Sequence, residues 1–342
     1  MNEIKASFIL PSAAFTVPRT KIKRYSKNLD HRPRQGDLVY GRVEYVGQHS
    51  FLENKEGRRH SIYDGTRAVF VMGNRYSPDY YEGFVPSTLQ SSVDMLSQSG
   101  MVGEVRFKST MVGDPTRIRV LGYICHADGT VMNTSDFSKI PVRHPSSPNN
   151  RAKMILCIGT AMNSGKSAAA AACCWALNSM GHTVRASKVT GTASLKDILL
   201  MEDNGASQVA DFTYMGHPSS YMLEEEEMLD VFSSLDTKFA NSSKNYWVVE
   251  FADGILQRET AMLLQSEIVR KRIHKLVFCA QDTFGAIGGL KVLKEEFALE
   301  PDAISGVCSS SPLSIRELSR YSDLPIFNSM QRDLKQMAEI LV

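Results

Sequence analysis

The stretch "CIGTAMNSGKSAAAAACCWAL", Cys157 to Leu177, decides the fold. An aliphatic run, "MILCI" (Met154 to Ile158), leads into a turn ending Gly165-Lys166-Ser167, and an alanine-rich helix former follows, with Gly181 placed to end it. Strand, tight turn and helix in that order aim backbone N–H groups and a helix N-terminus at a polyphosphate. In such a turn Lys166 reaches the β- and γ-phosphates, the Ser167 hydroxyl ligates Mg2+, and small Ser164 and Gly165 let the backbone approach phosphate oxygens closely. The spacing from Gly159 is one residue longer than the usual G-x-x-x-x-G-K-[ST]. A glycine loop that caps a helix, with an incidental lysine, is the plain alternative.

From Lys153 onward, strand-like runs (Lys153 to Gly159, Thr183 to Val189, Tyr246 to Phe251, Lys275 to Ala280, Ala303 to Cys308) alternate with helical stretches, as a parallel α/β sheet requires. Upstream, from Gln35 to about Phe137, short apolar stretches such as "LVYGRVEYVG" (Leu38 to Gly47), "AVFVMG" (Ala68 to Gly73) and "RIRVLGYICH" (Arg117 to His126) are separated by Gly, Asp and Pro turn formers. They predict a small barrel or sandwich. "RHPSSPNNR" (Arg143 to Arg151) punctuates the chain as a linker. The expected organisation is therefore an N-terminal strand and basic arm (1–35), a β-rich domain (36–142), a linker (143–152) and a phosphate-loop α/β domain (153–342).

The chain has 342 residues, 43% of them hydrophobic, enough for two cores. A net charge of +2 is too even to mark nucleic acid or a membrane as a global partner. Locally, Arg19 to Arg34 carries seven Lys or Arg against one Asp, with Tyr25 as a stacking surface; it reads as a solvated arm or as a contact for nucleic acid or protein. Six cysteines without C-x-x-C spacing read as small core hydrophobes in a reduced, cytoplasmic setting. No apolar run approaches the roughly 20 residues of a membrane helix, so no membrane role is expected. "ASFILPSAAFTV" (Ala6 to Val17) reads as a buried N-terminal strand.

"GTAMNSGKS" resembles the modified loop G-T-x-x-x-x-G-K-[ST] of dethiobiotin synthetase and its relatives among the amidating cobyrinate synthases. On that resemblance Thr160 stands where the first loop glycine is expected and Gly159 ends the strand. The implied nucleotide cradle is Gly159, Thr160, Asn163, Ser164, Gly165, Lys166 and Ser167. A further serine at position 168 is not applicable to it, the residue there being Ala168. "YWVVEFADG" (Tyr246 to Gly254) resembles the family's V-E-G-A-G-G segment and implies a metal role for Glu250; "ASKVTGT" (Ala186 to Thr192) resembles K-P-x-x-[ST]-G and implies that Lys188 lies near the transferred phosphoryl group. A family of two-domain proteins that includes D-amino-acid N-acetyltransferases has a similar loop, a T-G segment and a V-A-D-F segment. "QVADF" (Gln208 to Phe212) matches the last and implies Asp211 as a further acid near Mg2+.

An acid ending a strand beside a phosphate loop suits Mg2+, which takes oxygen ligands. Glu250 ends such a strand at the carboxyl edge of the sheet, where open α/β folds bind ligands. Asp253 and Arg258 follow it. Asp253 reads as the cap of the next helix or as part of a substrate grip, to which Arg258 would bring bidentate carboxylate binding. Thr190, Gly191 and His217 complete the candidate substrate residues. Ser219 or Ser220 is expected to cap a helix whose early turns hold Glu224 to Glu227. "MGNRYSPDYYEG" (Met72 to Gly83) reads as one polar, Tyr-rich loop.

These expectations favour a Mg2+- and ATP-dependent enzyme, GTP being left open, that activates a small carboxylate, amine or carbamate, with Lys166, Lys188 and Glu250 as its catalytic set and a homodimer implied by its relatives. The alternatives are a nucleotide-dependent switch acting on a macromolecular partner, and an acyltransferase whose loop holds the pyrophosphate of coenzyme A.

Overall fold

The structure is a computed structural model that describes residues 1–27, 30–144 and 150–342. Residues 28 and 29 of the basic arm and 145–149 of the expected linker lie outside the described residues. The chain forms two compact units. The first comprises Met1–Pro141, Thr192–Lys196 and Phe212–Met222; the second comprises Val142–Gly191, Asp197–Asp211 and Leu223–Val342.

The first unit holds strands β1 (Asn2–Glu3), β2 (Arg24–Ser26), β3 (Leu38–Tyr45), β4 (Phe51–Glu53), β5 (Arg59–Ser61), β6 (Arg67–Met72), β7 (Tyr81–Phe84), β8 (Ser92–Met95), β9 (Met101–Lys108) and β10 (Arg117–Cys125). Five of them close a circuit. β3 pairs with β10 and β6, β6 with β9, β9 with β8, and β8 with β10 again. The closed circuit makes this a barrel rather than a sandwich, with β2 on β10 and β7 on β9 extending from it. Val43, Phe70, Val102, Ile118 and Tyr123 are fully buried in its core.

Three expectations for this unit need correction. Ala6 to Val17 is largely buried, as at Leu10, Ala13, Ala14 and Val17, but is not a strand. Pro11 has no N–H to give a ladder, and Ser12–Ala14 turns as a 3-10 helix. Within 72–83, Arg75 and Tyr81 are buried and Tyr81 opens β7, so the stretch is not simply a solvent loop. Tyr25, expected to offer a stacking surface, sits in β2 with its ring 5.2 Å from that of Tyr40.

The first unit also takes in 192–196 and 212–222, stretches that a division of the chain at residue 152 assigns to the second. Thr192 and Ser219 pair as an antiparallel bridge, Gln35 donates to the Ser219 carbonyl at 2.7 Å, and the Glu53 carboxylate accepts the backbone N–H groups of Leu195 and Lys196.

The second unit holds β11 (Lys153–Gly159), α1 (Lys166–Ser179), β12 (Thr183–Lys188), α2 (Leu195–Asp203, whose first two residues belong to the first unit), β13 (Ala206–Asp211), α3 (Glu225–Phe239), β14 (Asn245–Glu250), α4 (Arg258–Gln265), α5 (Glu267–Arg270), β15 (Ile273–Cys279), α6 (Thr283–Phe297), β16 (Ala303–Ser305), α7 (Pro312–Leu318) and α8 (Leu334–Leu341). The sheet is wholly parallel in the order β13-β12-β14-β11-β15-β16. β11 lies centrally, with the chain stepping to β12 on one side and β15 on the other. A ligand crevice opens at the carboxyl ends of strands where such steps diverge. Ala169, Ala172, Cys173 and Ala176 are small enough to let α1 pack closely on the sheet.

β13 is a strand that the sequence reading missed, because its only strong signal is the short "QVAD". The run Ala303 to Cys308 stops as a strand at Ser305, since Gly306 at φ +99° turns the chain into a 3-10 helix over Val307–Ser309. The cap of α3 is Glu224, not Ser219 or Ser220. The cap of α4 is Gln257, which accepts the Thr260 N–H, not Asp253. All six cysteines are buried and free.

Candidate functional site

The loop from Gly159 to Ser167 joins β11 to α1, and its shape follows from close packing around two glycines. A Cβ on Gly159 would lie 2.6 Å from the Cys279 carbonyl oxygen, which accepts the Thr160 N–H at 2.9 Å. Gly165 adopts φ +96°, and a Cβ there would stand 2.7 Å from Gly306 Cα. Ser164 is buried, its carbonyl taking the Val307 N–H at 3.1 Å. Asn163 is exposed at the apex with φ +61°. The first turn of α1 leaves N–H groups without intrahelical acceptors, so the helix points an electropositive end into the loop. The ammonium of Lys166 lies inside it, donating to the Ala161 carbonyl at 2.7 Å and lying 3.4 Å from Ser164 Oγ.

Position 168 gives the cradle no side-chain ligand. The residue there is Ala168, half-buried in the first turn of α1, and its methyl side chain has no oxygen to give a metal or a phosphate. The hydroxyl at the head of α1 comes from Ser167, and position 168 adds only its backbone to the helix start.

Next to this cradle the sheet brings charged side chains to one level. Register pairs Lys188 with Asp211 on one side and with Glu250 on the other, so the three stand in a row across the carboxyl ends of β13, β12 and β14. They are almost wholly buried, as is Lys166: relative exposures are 1% for Asp211, 2% for Glu250 and 5% for each lysine. Ser167 Oγ donates to Glu250 Oε1 at 3.0 Å. Lys188 Nζ lies 2.5 Å from Asp197 Oδ2, in the first turn of α2.

Burial disfavours every charge here, and the pairing decides the outcome. Desolvation raises the Glu250 pKa above the ordinary glutamate value, against the opposing pull of Lys188, Lys166 and the Ser167 hydroxyl. Desolvation likewise lowers Lys166, with Glu250 as the main counterweight. For Lys188 desolvation is the largest single effect, but Asp197, Glu250 and Asp211 together overcome it and hold the ammonium above the usual lysine value.

Glu250 Oε2 is buried with no hydrogen-bond partner among the described residues. An unsatisfied buried carboxylate oxygen is costly, and one lying beside a serine hydroxyl is the kind of hard oxygen pair that Mg2+ takes while keeping waters and phosphate oxygens for its other positions. Ser167 and Glu250 therefore fit the metal. Asp211 stands two strand spacings from Glu250, about 9.5 Å between backbones, with Lys188 between them, and its charge falls on Lys188.

The candidate substrate residues divide. Thr190 is buried and its hydroxyl bonds the Ala252 carbonyl at 3.2 Å; a Cβ on Gly191 would meet Ala252 Cβ at 2.8 Å and Lys188 Cε at 3.1 Å, so both line this same edge. Asp253 follows β14 with φ +60°, in a loop whose Gly254 leaves room only for the Thr160 carbonyl. Arg258 donates through Nη1 to the Leu223 carbonyl at 2.8 Å and to Glu259 at 2.7 Å, and its Nη2 lies 3.5 Å from Glu224 Oε2. His217 belongs to the first unit, not to the one that holds the loop. Asp197 was missed in the sequence because an acid in a first helical turn reads as an ordinary complement to the helix dipole.

No family model matches the chain and no curated protein matches it. Among solved structures it is similar to the signal recognition particle receptor FtsY from Elizabethkingia anophelis in complex with GDP (11% identity, 58% of this chain and 67% of that one, TM-score 0.37). It is also similar to a ParA family ATPase from Chlorobium tepidum TLS (16% identity, 56% and 92%, TM-score 0.36) and to cell division protein FtsY from Thermotoga maritima (16% identity, 61% and 74%, TM-score 0.36). The mixed α/β assignment stands on the chain's own strand order. Among the described residues no helix is long and apolar enough to cross a membrane.

Proposed function

We propose that the second unit binds Mg2+ and a nucleoside triphosphate, ATP being the expected one and GTP an open alternative, and that it moves the terminal phosphoryl group onto a small carboxylate, amine or carbamate. The observation that carries this reading is the Ser167–Glu250 pair, flanked by two buried lysines at the mouth of the loop. The loop amides and the start of α1 seat the polyphosphate; Lys166 and Lys188 face the charge that grows on its terminal oxygens; Ser167 and Glu250 hold the metal. When bound, Mg2+ supplies neutralisation of phosphate charge. Low dielectric around the buried lysines strengthens each of these interactions.

Titration of the wild type and Lys166→Ala with ATP, GTP and coenzyme A, with and without Mg2+, tests the reading. A true ligand at a hundredfold excess over its Kd adds about 2.7 kcal/mol of stability, and Lys166→Ala loses it. Stabilisation by neither nucleotide removes the proposal. Stabilisation by coenzyme A alone, with acetyl transfer and no ATP consumed, replaces it with the acyltransferase reading.

One observation favours a switch as the second reading. The chain leaves Lys188 and Asp211 through 192–196 and 212–222, the two stretches that fold with the first unit. Segments beside a phosphate site that order or disorder with the nucleotide state are what nucleotide switches use. Slow turnover changed by a macromolecule favours it; turnover raised by one small metabolite favours the enzyme.

A further inference from the structure

We infer that Asp197 is a positioning residue for Lys188, setting that lysine on the terminal phosphate and thereby making the site prefer a triphosphate over a diphosphate. The inference rests on the nucleotide reading above and adds to it a residue that no motif marks. Across the carboxyl edge the order is the loop and Lys166 on β11 and α1, then Glu250, then Lys188, then Asp211. A polyphosphate seated on the loop and running past Ser167 and Glu250 would bring its last phosphoryl group within reach of both lysines, Lys166 also serving the phosphate before it and Lys188 only the last.

Lys188 cannot hold that place by itself. It is a long side chain in a buried site, and Glu250 and Asp211 stand at its level on the two opposite neighbouring strands. Asp197 comes from outside the sheet, from the first turn of α2, and its carboxylate meets Nζ at 2.5 Å with side-chain exposures of only 7% and 16%. A bond from a third direction fixes the ammonium in space as well as in charge.

The test compares ATP and ADP binding, each with Mg2+, by calorimetry in wild type, Asp197→Asn, Asp197→Glu and Lys188→Met. The expected result is that Asp197→Asn weakens ATP by about tenfold or more and leaves ADP within about twofold, that Asp197→Glu restores part of the loss, and that Asp197→Asn adds nothing on top of Lys188→Met. Retained ADP binding shows that the variant is folded. Equal loss of both nucleotides, no loss of either, or tighter ATP binding by Asp197→Asn overturns the inference while leaving the nucleotide reading intact. A wild type that binds neither nucleotide overturns both.

Discussion

Ser167 on the first turn of α1 and Glu250 at the end of β14 are joined by a 3.0 Å hydrogen bond that leaves the other Glu250 oxygen buried and without a partner among the described residues. Two residues 83 positions apart thus meet on one carboxylate whose second oxygen has a need that no described residue meets. That arrangement costs stability and suits a cation.

Glu250→Gln is expected to trade one property for the other. Because burial raises the Glu250 pKa in the folded state, its contribution to stability is fully present below the unfolded value and is lost as pH rises through the folded one, so above that range burying this acid weighs against folding. The variant should unfold at higher urea concentration than wild type at pH 7, and Mg2+ should no longer strengthen its nucleotide binding. A variant less stable than wild type and still Mg2+-responsive would contradict the metal assignment.

Gly165→Ala should damage the loop without touching a charge. The residue sits at φ +96°, and its new Cβ would press on Gly306 Cα. Left-handed strain costs about 1–2 kcal/mol, and the clash adds to it. Urea denaturation should show at least that loss, and nucleotide affinity should fall with it. Gly181→Ala, also at positive φ but with open space around it, should show the strain alone and keep affinity.

Glu53→Ala should destabilise the first unit. The buried carboxylate accepts from Ser12 Oγ and from the N–H groups of Leu195 and Lys196. Removing it orphans three donors, each unsatisfied group costing about 1–3 kcal/mol where water cannot replace the acceptor. Denaturation monitored by tyrosine fluorescence should report the loss, and Glu53→Gln, which keeps one acceptor, should lose less.

His49 predicts an acid-side dependence. It is buried beside Arg75, its Nε2 lying 3.2 Å from Arg75 Nη1, and burial followed by that positive charge lowers its pKa to about 4. A histidine held neutral in the folded state and free to charge in the unfolded one contributes stability above pH 6.5 that is lost as pH falls toward 4. That lowering corresponds to about 3 kcal/mol. His49→Gln should flatten the decline in urea midpoint between pH 6.5 and 4; an unchanged slope would assign the decline to other groups.

The alternation of apolar and polar residues, the Gly165-Lys166-Ser167 turn and the alanine run determined by themselves that a strand, a tight loop and a helix would follow one another, because those preferences act over a few residues. The same local physics marked the β-rich stretch before them. It did not reach far enough to reveal that Asp211, Lys188 and Glu250 share one level, since register between parallel strands depends on crossovers through whole helices. Nor did it reveal Asp197, an ordinary first-turn acid until α2 lays it against a buried lysine, or the closing of five short strands into a barrel. Those were decided in the tertiary structure, where burial removes water from around each charge and leaves the partner brought by another segment as the only way to keep it.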